Sequence, residues 1–402
     1  MQTRTLFVLI AMLTIVAAGN AQEDWNITGA GARAEGLGGA FIGLADDATA
    51  ISWNPSGLGQ LERVEFSAVG RWMGEVYDYS NPVHPATNYT ISQSHFTYNF
   101  ASIAFPLHAG AVNIVPAVAF QKQLDNYSEY DIRTESYESS GGANTITPGI
   151  GIKLHPMIYV GGAVNIWLGN FANSDLDKSS TYTLNNDGSF SGLNFTAGLL
   201  VDFEGMKKPI PIKLGATVRT PFDLKYDGSY QVKQNGNVNK NGAFVNTVQS
   251  PLMFGFGASG RIGENFTLSV DYETRLYGDR QIFRTTDGAA IDTIQLSASK
   301  TDLNQVRVGA EYLIVTTAGV IPVRAGFRTI PTLRANWDIN NKPSDQVSGT
   351  GFTAGTGFIS NSFALDVTYS RSTWEQSSAQ TGGSASSTYT SQVVSASLIV
   401  YF

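Results

Sequence analysis

Apolar and polar positions alternate along most of this chain with a period of two. In "FTLSVDYETRL", residues 266 to 276, Phe266, Leu268, Val270 and Tyr272 share one face, while Thr267, Ser269, Asp271, Glu273 and Arg275 share the other. That is the pattern of a strand with one greasy side and one wet side. Val306, Val308, Ala310, Tyr312 and Ile314 alternate in the same way with Arg307, Gly309 and Glu311. Ile321, Val323, Ala325 and Phe327 alternate with Arg324, Gly326 and Arg328, and Phe363, Leu365, Val367 and Tyr369 with Ala364, Asp366, Thr368 and Ser370. Read along the chain, the alternation predicts strands at 62–74, 93–106, 110–122, 144–155, 157–169, 190–203, 210–230, 250–262, 265–277, 304–316, 320–330, 350–359, 362–373 and 392–402.

A soluble sandwich also alternates, so the connections decide the class. They are expected to be short at 107–109, at Pro156 and at 204–209, and long at 75–92, 123–143, 170–189 and 374–391. Short and long connections therefore fall on opposite ends, as in an outer-membrane barrel with tight periplasmic turns and large external loops. The expected fold is all-β: a transmembrane antiparallel β-barrel of about 14 strands. Exposing Arg to lipid costs about 2–4 kcal/mol near the midplane. Asp271, Glu273, Arg275, Arg307, Glu311, Arg324, Arg328 and Asp366 are accordingly assigned to the lumen as a charge network. It either holds an inner segment by mutual pairing or offers a surplus Arg to a carboxylate ligand.

The termini agree. Arg4 precedes an apolar run from Leu6 to Leu13, followed by Ile15 to Ala18 and the small residues Gly19 and Ala21. This reads as a secretory signal over 1–21, since a membrane helix needs about 20 apolar residues. The last strand, "SASLIVYF", sets Leu398, Val400 and Phe402 on one face, with Ile399 blurring the wet one. An aromatic final residue on an alternating strand resembles the recognition signal of barrels inserted by the barrel assembly machinery.

Residues 22–61 precede the barrel, expected over 62–402, and need a place of their own. The segment carries Phe41, Ile42, Leu44, Ile51 and Trp53 among many Gly and Ala. It is too apolar for a free tail and too rich in small residues for a strand. A plug inside the lumen fits, with Asp46, beside Asp47, capping a short helix that ends at Asn54-Pro55.

Composition narrows the chemistry. The net charge of −7, with no Lys/Arg cluster, argues against nucleic acid. The chain has no Cys, and its four His show no metal-ligand spacing. The Gly-rich "GLGG" at Gly36 to Gly39 lacks the Lys-Ser/Thr of a phosphate loop. No cofactor or metal is expected.

The block "GARAEGLGGAFIGLADDATAISWNPSGL", residues 31 to 58, resembles the N-terminal signature of the FadL/TodX family of outer-membrane transporters for hydrophobic compounds. The blocks "VRVGAEYLIVTTAGVIPVRAGFRTIPT", residues 306 to 332, and "GATVRTPFDLKYDGSY", residues 215 to 230, resemble that family's later strands. The resemblance implies a fourteen-stranded barrel with an N-terminal hatch in the lumen, formed here by Phe41, Asp46, Asp47, Trp53, Asn54 and Pro55. It also implies passage of a hydrophobic small molecule or lipid, such as a long-chain fatty acid or aromatic hydrocarbon, by a barrel set among outer-membrane lipids of a Gram-negative bacterium. Escape is sideways, through a gap that Pro116 in the third strand would open, because Pro cannot donate to the ladder. A similar signature occurs in PorV-like shuttle and anchor barrels of type IX secretion, which bind protein cargo. An outer-membrane lipase would need a Ser-His pair on the lipid-facing wall, with His95 as its strand His. The polar segments 123–143 and 170–189 show no greasy capture groove. Trp72, Trp167 and Tyr226 suit interfacial aromatic girdles.

Overall fold

Inward and outward positions of each strand face different media, and that alternation wraps the sheet into a closed antiparallel barrel of 14 strands. The computed structural model describes residues 29–110 and 112–402. The expected signal segment lies outside the described residues.

The first six strands are β1 (Glu65–Ser80), β2 (Tyr89–Ala104), β3 (Val112–Asp125), β4 (Glu135–His155), β5 (Ile158–Asp177) and β6 (Tyr182–Asp202). The next four are each interrupted once: β7 (Ile212–Arg219 and Phe222–Gln234), β8 (Asn237–Ser250 and Met253–Ile262), β9 (Phe266–Arg275 and Gln281–Thr286) and β10 (Ala289–Gln295 and Leu303–Val315). Pro221 and Pro251 sit in the first two breaks, where a residue without an N–H ends the ladder. β11 (Val320–Trp337), β12 (Pro343–Ile359), β13 (Phe363–Gln380) and β14 (Gly383–Tyr401) complete the wall. β14 pairs with β1 from Glu65 opposite Tyr401 to Ser80 opposite Ser386, which closes the barrel.

Leu268, Val270, Tyr272, Val306, Val308, Tyr312, Val323, Leu365 and Val367 are exposed on the outside. Their neighbours Asp271, Glu273, Arg307, Glu311, Arg324 and Asp366 are at most 4% exposed on the inside. A wall that is apolar without and polar within is that of a membrane barrel.

The structure corrects the expected loops. β6 begins at Tyr182 and β14 at Gly383, so most of 170–189 and 374–391 is ladder. On β6 the outward positions change from Phe195 and Leu193 to Ser189, Asp187 and Asn185 as the strand leaves the apolar band. The greasy alternation stops there, whereas backbone pairing continues in water. The asymmetry between the two ends lies in strand length past the band.

At the long-strand rim Tyr137 of β4 stands opposite Asp175 of β5, and Glu135 opposite Asp177. Burial, then Glu135 and Asp177, pushes the Asp175 carboxyl up to about 7. An unfolded Asp titrates near about 3.9. The unfolded rim thus releases its proton first, and rim stability is present at low pH and lost as pH rises from about 4 through about 7. Hydrogen exchange of the β4 and β5 tips, corrected for intrinsic rates, is expected to show more protection at pH 5 than at pH 8. Asp175→Asn should flatten that difference, and an unchanged difference would refute the assignment.

Candidate functional site

The segment before β1 folds into three short helical turns: Ala32–Gly36, Ala50–Trp53 and a 3₁₀ turn Pro55–Gln60. Phe41, Ile51 and Trp53 are buried, and the Phe41 and Trp53 rings meet edge to face at 6.1 Å. The expected cap at Asp46 is not formed: Thr49 holds the N-cap position of the Ala50–Trp53 turn and makes no side-chain capping bond. Asp47, not Asp46, accepts from the Thr49 amide at 2.8 Å and the Thr49 hydroxyl at 2.5 Å, ahead of the Ala50–Trp53 turn. Asp46 turns instead to the Arg33 guanidinium at 2.5 Å. Asn54 ends the turn because Pro55 follows. Its side chain accepts from the Ser56 hydroxyl at 2.6 Å and donates to the Ile42 carbonyl at 3.0 Å and the Leu199 carbonyl of β6 at 3.1 Å. Asn54 therefore ties the plug to itself and to the wall.

The wall meets this plug with glycine. Gly151 of β4 stands opposite Gly161 of β5, and Gly161 opposite Gly198 of β6. Gly215 of β7 faces Gly257 of β8, and Gly309 of β10 faces Gly326 of β11. A Cβ at Gly161 would lie 2.3 Å from the Pro55 carbonyl carbon, one at Gly198 would lie 2.0 Å from Asn54 Oδ1, and one at Gly326 would lie 2.1 Å from the Gly38 nitrogen. Plug backbone and wall backbone thus touch directly. Where wall side chains remain, they satisfy the plug's backbone: Asn113 donates to the Leu61 carbonyl at 2.7 Å, Thr368 to the Ala32 carbonyl at 2.6 Å and Ser259 to the Gly43 carbonyl at 2.9 Å.

Charges complete the seat. Asp271 accepts from the Phe41 and Ile42 amides at 2.7 and 2.8 Å. Glu311 takes Arg33 of the plug at 3.2 Å and Arg324 at 2.6 Å, and Arg324 also pairs with Asp366 at 2.5 Å. Glu273 takes Arg307 at 3.2 Å and forms a close pair with Arg275. Arg307 also lies over the Trp53 ring, 5.7 Å from its centroid. Arg328 donates to Ser370 and Ser372. The structure therefore brings seven of the eight residues of the expected network into two linked groups with the plug, and sets Arg328 among hydroxyls.

Towards the long-strand rim the inner face turns apolar. Leu124, Ala143, Trp167, Leu224, Val248, Tyr277, Ile282 and Leu303 pack together, with Phe190, Phe222 and Tyr226 against them. Trp167 and Tyr226 therefore belong to the lumen, not to a girdle; Trp167 donates to Asn194 at 2.7 Å. Trp72 is on the outer face, 45% exposed. Phe171, Phe190, Tyr226 and Phe244 continue the aromatic lining outward. Within 170–189 the buried inward positions are mixed, Phe171 and Leu184 standing beside Asp175.

The wall is interrupted beside this belt. β2 pairs with β3 only over Phe100–Ala104 against Ala117–Gln121. Beyond Phe100, β2 stays on β1 as far as Tyr89, while β3 stays on β4 with a register shift between Lys122 and Leu124. Pro116 does not make the break. It lies in unbroken register opposite Ile150, and its carbonyl accepts from the Phe105 amide at 2.9 Å. The neighbouring chain skips only Phe105 and Pro106 beside it and pairs again at Leu107 opposite Ile114. Side chains bridge the interruption: Lys122 donates to Thr97 at 2.9 Å and pairs with Asp125 at 3.0 Å, and His95 meets Asp125 at 3.1 Å while stacking on Tyr127. His95 is thus tied up in the break, away from the lipid-facing wall where a lipase pair would stand.

A family model described as BamG matches residues 33–314. The chain belongs to the BamG family. Among solved structures, this BamG-family chain is similar to a FadL homologue of Pseudomonas aeruginosa, at 14% identity and TM-score 0.66 over 91% of this chain and 97% of that one. It is also similar to the toluene transporter TbuX of Ralstonia pickettii, at 15% identity and TM-score 0.63 over 94% and 99%. The P. putida toluene transporter TodX aligns at 12% identity and TM-score 0.67, again over 94% and 99%. At such identities the FadL/TodX likeness is one of fold. No curated protein matches the chain by sequence.

The glycine seat escaped the sequence reading, although Gly309 and Gly326 fall on the inward phase of strands whose alternation was plain. Gly161 and Gly162 offer an internal comparison. The inward Gly161→Ala variant overpacks the plug, at a cost of about 1–3 kcal/mol. At Gly162 the nearest atom to an added Cβ is 3.7 Å away. Gly161→Ala is expected to lower the midpoint of heat-induced gel-shift unfolding and to raise tryptic cleavage after Arg33. Equal behaviour of the two variants would count against the seat.

Proposed function

We propose that this chain is an outer-membrane barrel of a Gram-negative bacterium that passes hydrophobic compounds, with the plug as floor and the β2–β3 interruption as sideways exit. The observation that carries this reading is the contact between the belt and the break: Leu124 and Ala143, paired on β3 and β4, belong to the apolar belt and flank the place where β2 separates. A diffusion porin keeps a polar, water-filled lumen. Here the rimward lumen is apolar, and the plug spans the level below it. The fold likeness to the toluene transporters TbuX and TodX supports the same substrate class. On this reading a long-chain fatty acid or aromatic hydrocarbon enters from the long-strand rim, partitions among Trp167, Leu224, Tyr226 and Tyr277, and leaves between Thr97 and Lys122 into the outer leaflet. Phe41, Asp46, Asp47, Trp53, Asn54 and Pro55 hold the hatch shut beneath that route.

Family membership supports a second reading. The name BamG points to the barrel assembly machinery, and a barrel of this kind can serve as a protein-binding subunit rather than a conduit. The outer surface would then be the working face, with the plug keeping the barrel rigid and sealed.

Because the chain has no Cys, paired cysteines can be introduced cleanly. Bridging Thr97→Cys and Lys122→Cys with a reducible bis-thiosulfonate linker is expected to stop cellular uptake of radiolabelled fatty acid or aromatic hydrocarbon, and reductant should restore it. Uptake that ignores the bridge would sink the lateral exit. Stoichiometric co-purification of the tagged chain with the central assembly subunit, together with loss of other folded barrels on depletion and no uptake, would establish the second reading instead.

A further inference from the structure

The β2–β3 break has a counterpart across the barrel. β10 pairs with β11 from Val315 opposite Val320 up to Arg307 opposite Arg328. Past that level the Ala298 amide donates to the Leu333 carbonyl at 3.0 Å and the Gln346 side chain to the Asp302 carbonyl at 3.4 Å. Between the two breaks the strands are irregular along one line. β3 slips against β4 at Gln123, and the β4–β5 ladder lapses over 142–143 and 169–170. β6 changes register against β7 between Thr196 opposite Arg219 and Ser191 opposite Lys225. β7, β8, β9 and β10 are interrupted at 220–221, 251–252, 276–280 and 296–302. Lys122 stands opposite Asn144, Asn144 opposite Leu168 and Leu168 opposite Ser191, while Phe222 faces Ser250 and Val248 faces Ile282, so the irregularities line up across the sheet. Elsewhere the ladders run on: β13 stays in register with β14 from Phe363 to Gln380, and β1 with β14 from Glu65 to Ser80.

Such a line is a crease. Gly142 and Gly169 hold φ of 146° and 139° on it, and an added Cβ would lie 2.0 Å from the Leu124 carbonyl oxygen in one case and 2.1 Å from the Gly142 carbonyl oxygen in the other. Only glycine lets the backbones bend and approach in this way. Pro221 and Pro251 remove ladder donors from the same line. Rimward of it the strands are stiffly laddered again: β5 with β6 over Asn170–Asp177, β7 with β8 over Phe222–Gln234, and β9 with β10 over Gln281–Thr286. A stiff panel with a weak line beneath it and a break at each side is suited to turn as one body. The apolar belt coincides with the crease, because Leu124, Ala143, Leu224, Val248, Ile282 and Leu296 flank it on the inside.

We infer that the rim halves of β3 to β10 form one panel that turns about this crease, and that a hydrophobic molecule lodged in the belt turns it, widening the β2–β3 and β10–β11 breaks together. The inference rests on the hydrophobic-passage reading and adds how the exit is regulated. A ligand shifts such an equilibrium only by fitting one state better. In the closed state the belt side chains pack on one another, so a guest finds its contacts when the panel has tilted and they have parted. That gain works against the ties at the two edges: Lys122 to Thr97, His95 to Asp125 and the Glu129 amide to Gln93 on one side, and Ala298 to Leu333 on the other. The plug lies below the crease and stays seated.

The test is a set of spin-label distances by double electron–electron resonance on the full chain in nanodiscs, with and without toluene and, separately, hexadecanoate. Ser92, Glu138, Asn241 and Ser348 are exposed, so cysteines there carry labels without touching the belt or the ties. Ser92→Cys with Glu138→Cys spans the β2–β3 break, Asn241→Cys with Ser348→Cys spans the β10–β11 break, and Glu138→Cys with Asn241→Cys lies within the panel. Either probe is expected to shift both spanning distances by about 2 Å or more at the same probe concentration, with the distance inside the panel unchanged. A shift at one break alone, or an equal change inside the panel, would overturn the rigid panel. No shift at either break, in labelled chains whose cells take up the probe, would overturn it too and leave hydrophobic passage standing. No shift and no uptake, from chains that migrate as folded barrels on an unheated gel, would overturn both readings.

Discussion

The structure depends on one steric constraint: at the level of the plug, the inward side chains of the wall have to be absent. A barrel of this size has a lumen that side chains alone do not fill. Here it is filled by a second piece of chain, and that chain reaches the wall only because Gly151, Gly161, Gly198, Gly215, Gly309 and Gly326 present no Cβ. Backbone then packs on backbone, and the polar groups of the irregular segment find partners in Asn113, Thr368, Ser259 and Asp271. A loop buried without such partners would carry unsatisfied amides and carbonyls. The small residues of the plug and the glycines of the wall are two halves of one steric fit.

The buried charges take their meaning from that seat. Isolated ion pairs in a low-dielectric interior gain little over an apolar packing of the same volume, but removing one partner is severe. Arg33 is the instructive member, because it belongs to the plug and its acids come from both sides: Asp46 from the plug, Glu311 from β10. Such a contact fixes orientation more than it adds stability, and it tells the plug which way round to sit. Arg324 and Asp366 extend the same group across β11 and β13. Glu311 and Asp366 hold Arg33 and Arg324 in that group, whereas Arg275 and Arg307 share Glu273 in the other. The two groups leave the lumen floor electrically uneven.

Much of this was legible in the alternation of residues, because a membrane barrel sorts its side chains by a period the backbone itself imposes. The inward phase of Asp271, Arg307, Glu311, Arg324 and Asp366 followed from the cost of charge in lipid. Strand ends did not follow, because alternation records the medium on each side. Once Asn185, Asp187 and Ser189 face water the greasy signal ends, although pairing runs on to Tyr182. Trp167 and Tyr226 misled for a related reason: an amphipathic ring suits an interface and an apolar lumen equally, and only register tells which. Pro116 marked a true irregularity of backbone chemistry on the correct strand, but the sequence does not say which neighbour is still paired there. At Pro116 the neighbour is still in place, with Phe105 donating to its carbonyl and Leu107 paired with Ile114, and the ladder parts at the other end, past Gln121.

The vertical order of these features constrains any mechanism. Val115, Ala117 and Ala119 of β3 pack with the plug's own apolar residues, so the plug reaches up this strand to the last pairs it makes with β2. Above them come the break, the bridging Lys122 and the belt residue Leu124. A molecule held in the belt is therefore already beside the interruption and above the floor. On the proposed reading, sideways exit requires the Thr97, Lys122, Asp125 and His95 bridges to part, but it does not require the glycine-seated plug to move. A rigid plug and a conducting wall are then compatible: the tight seat that would defeat passage through the barrel is what directs passage out of its side.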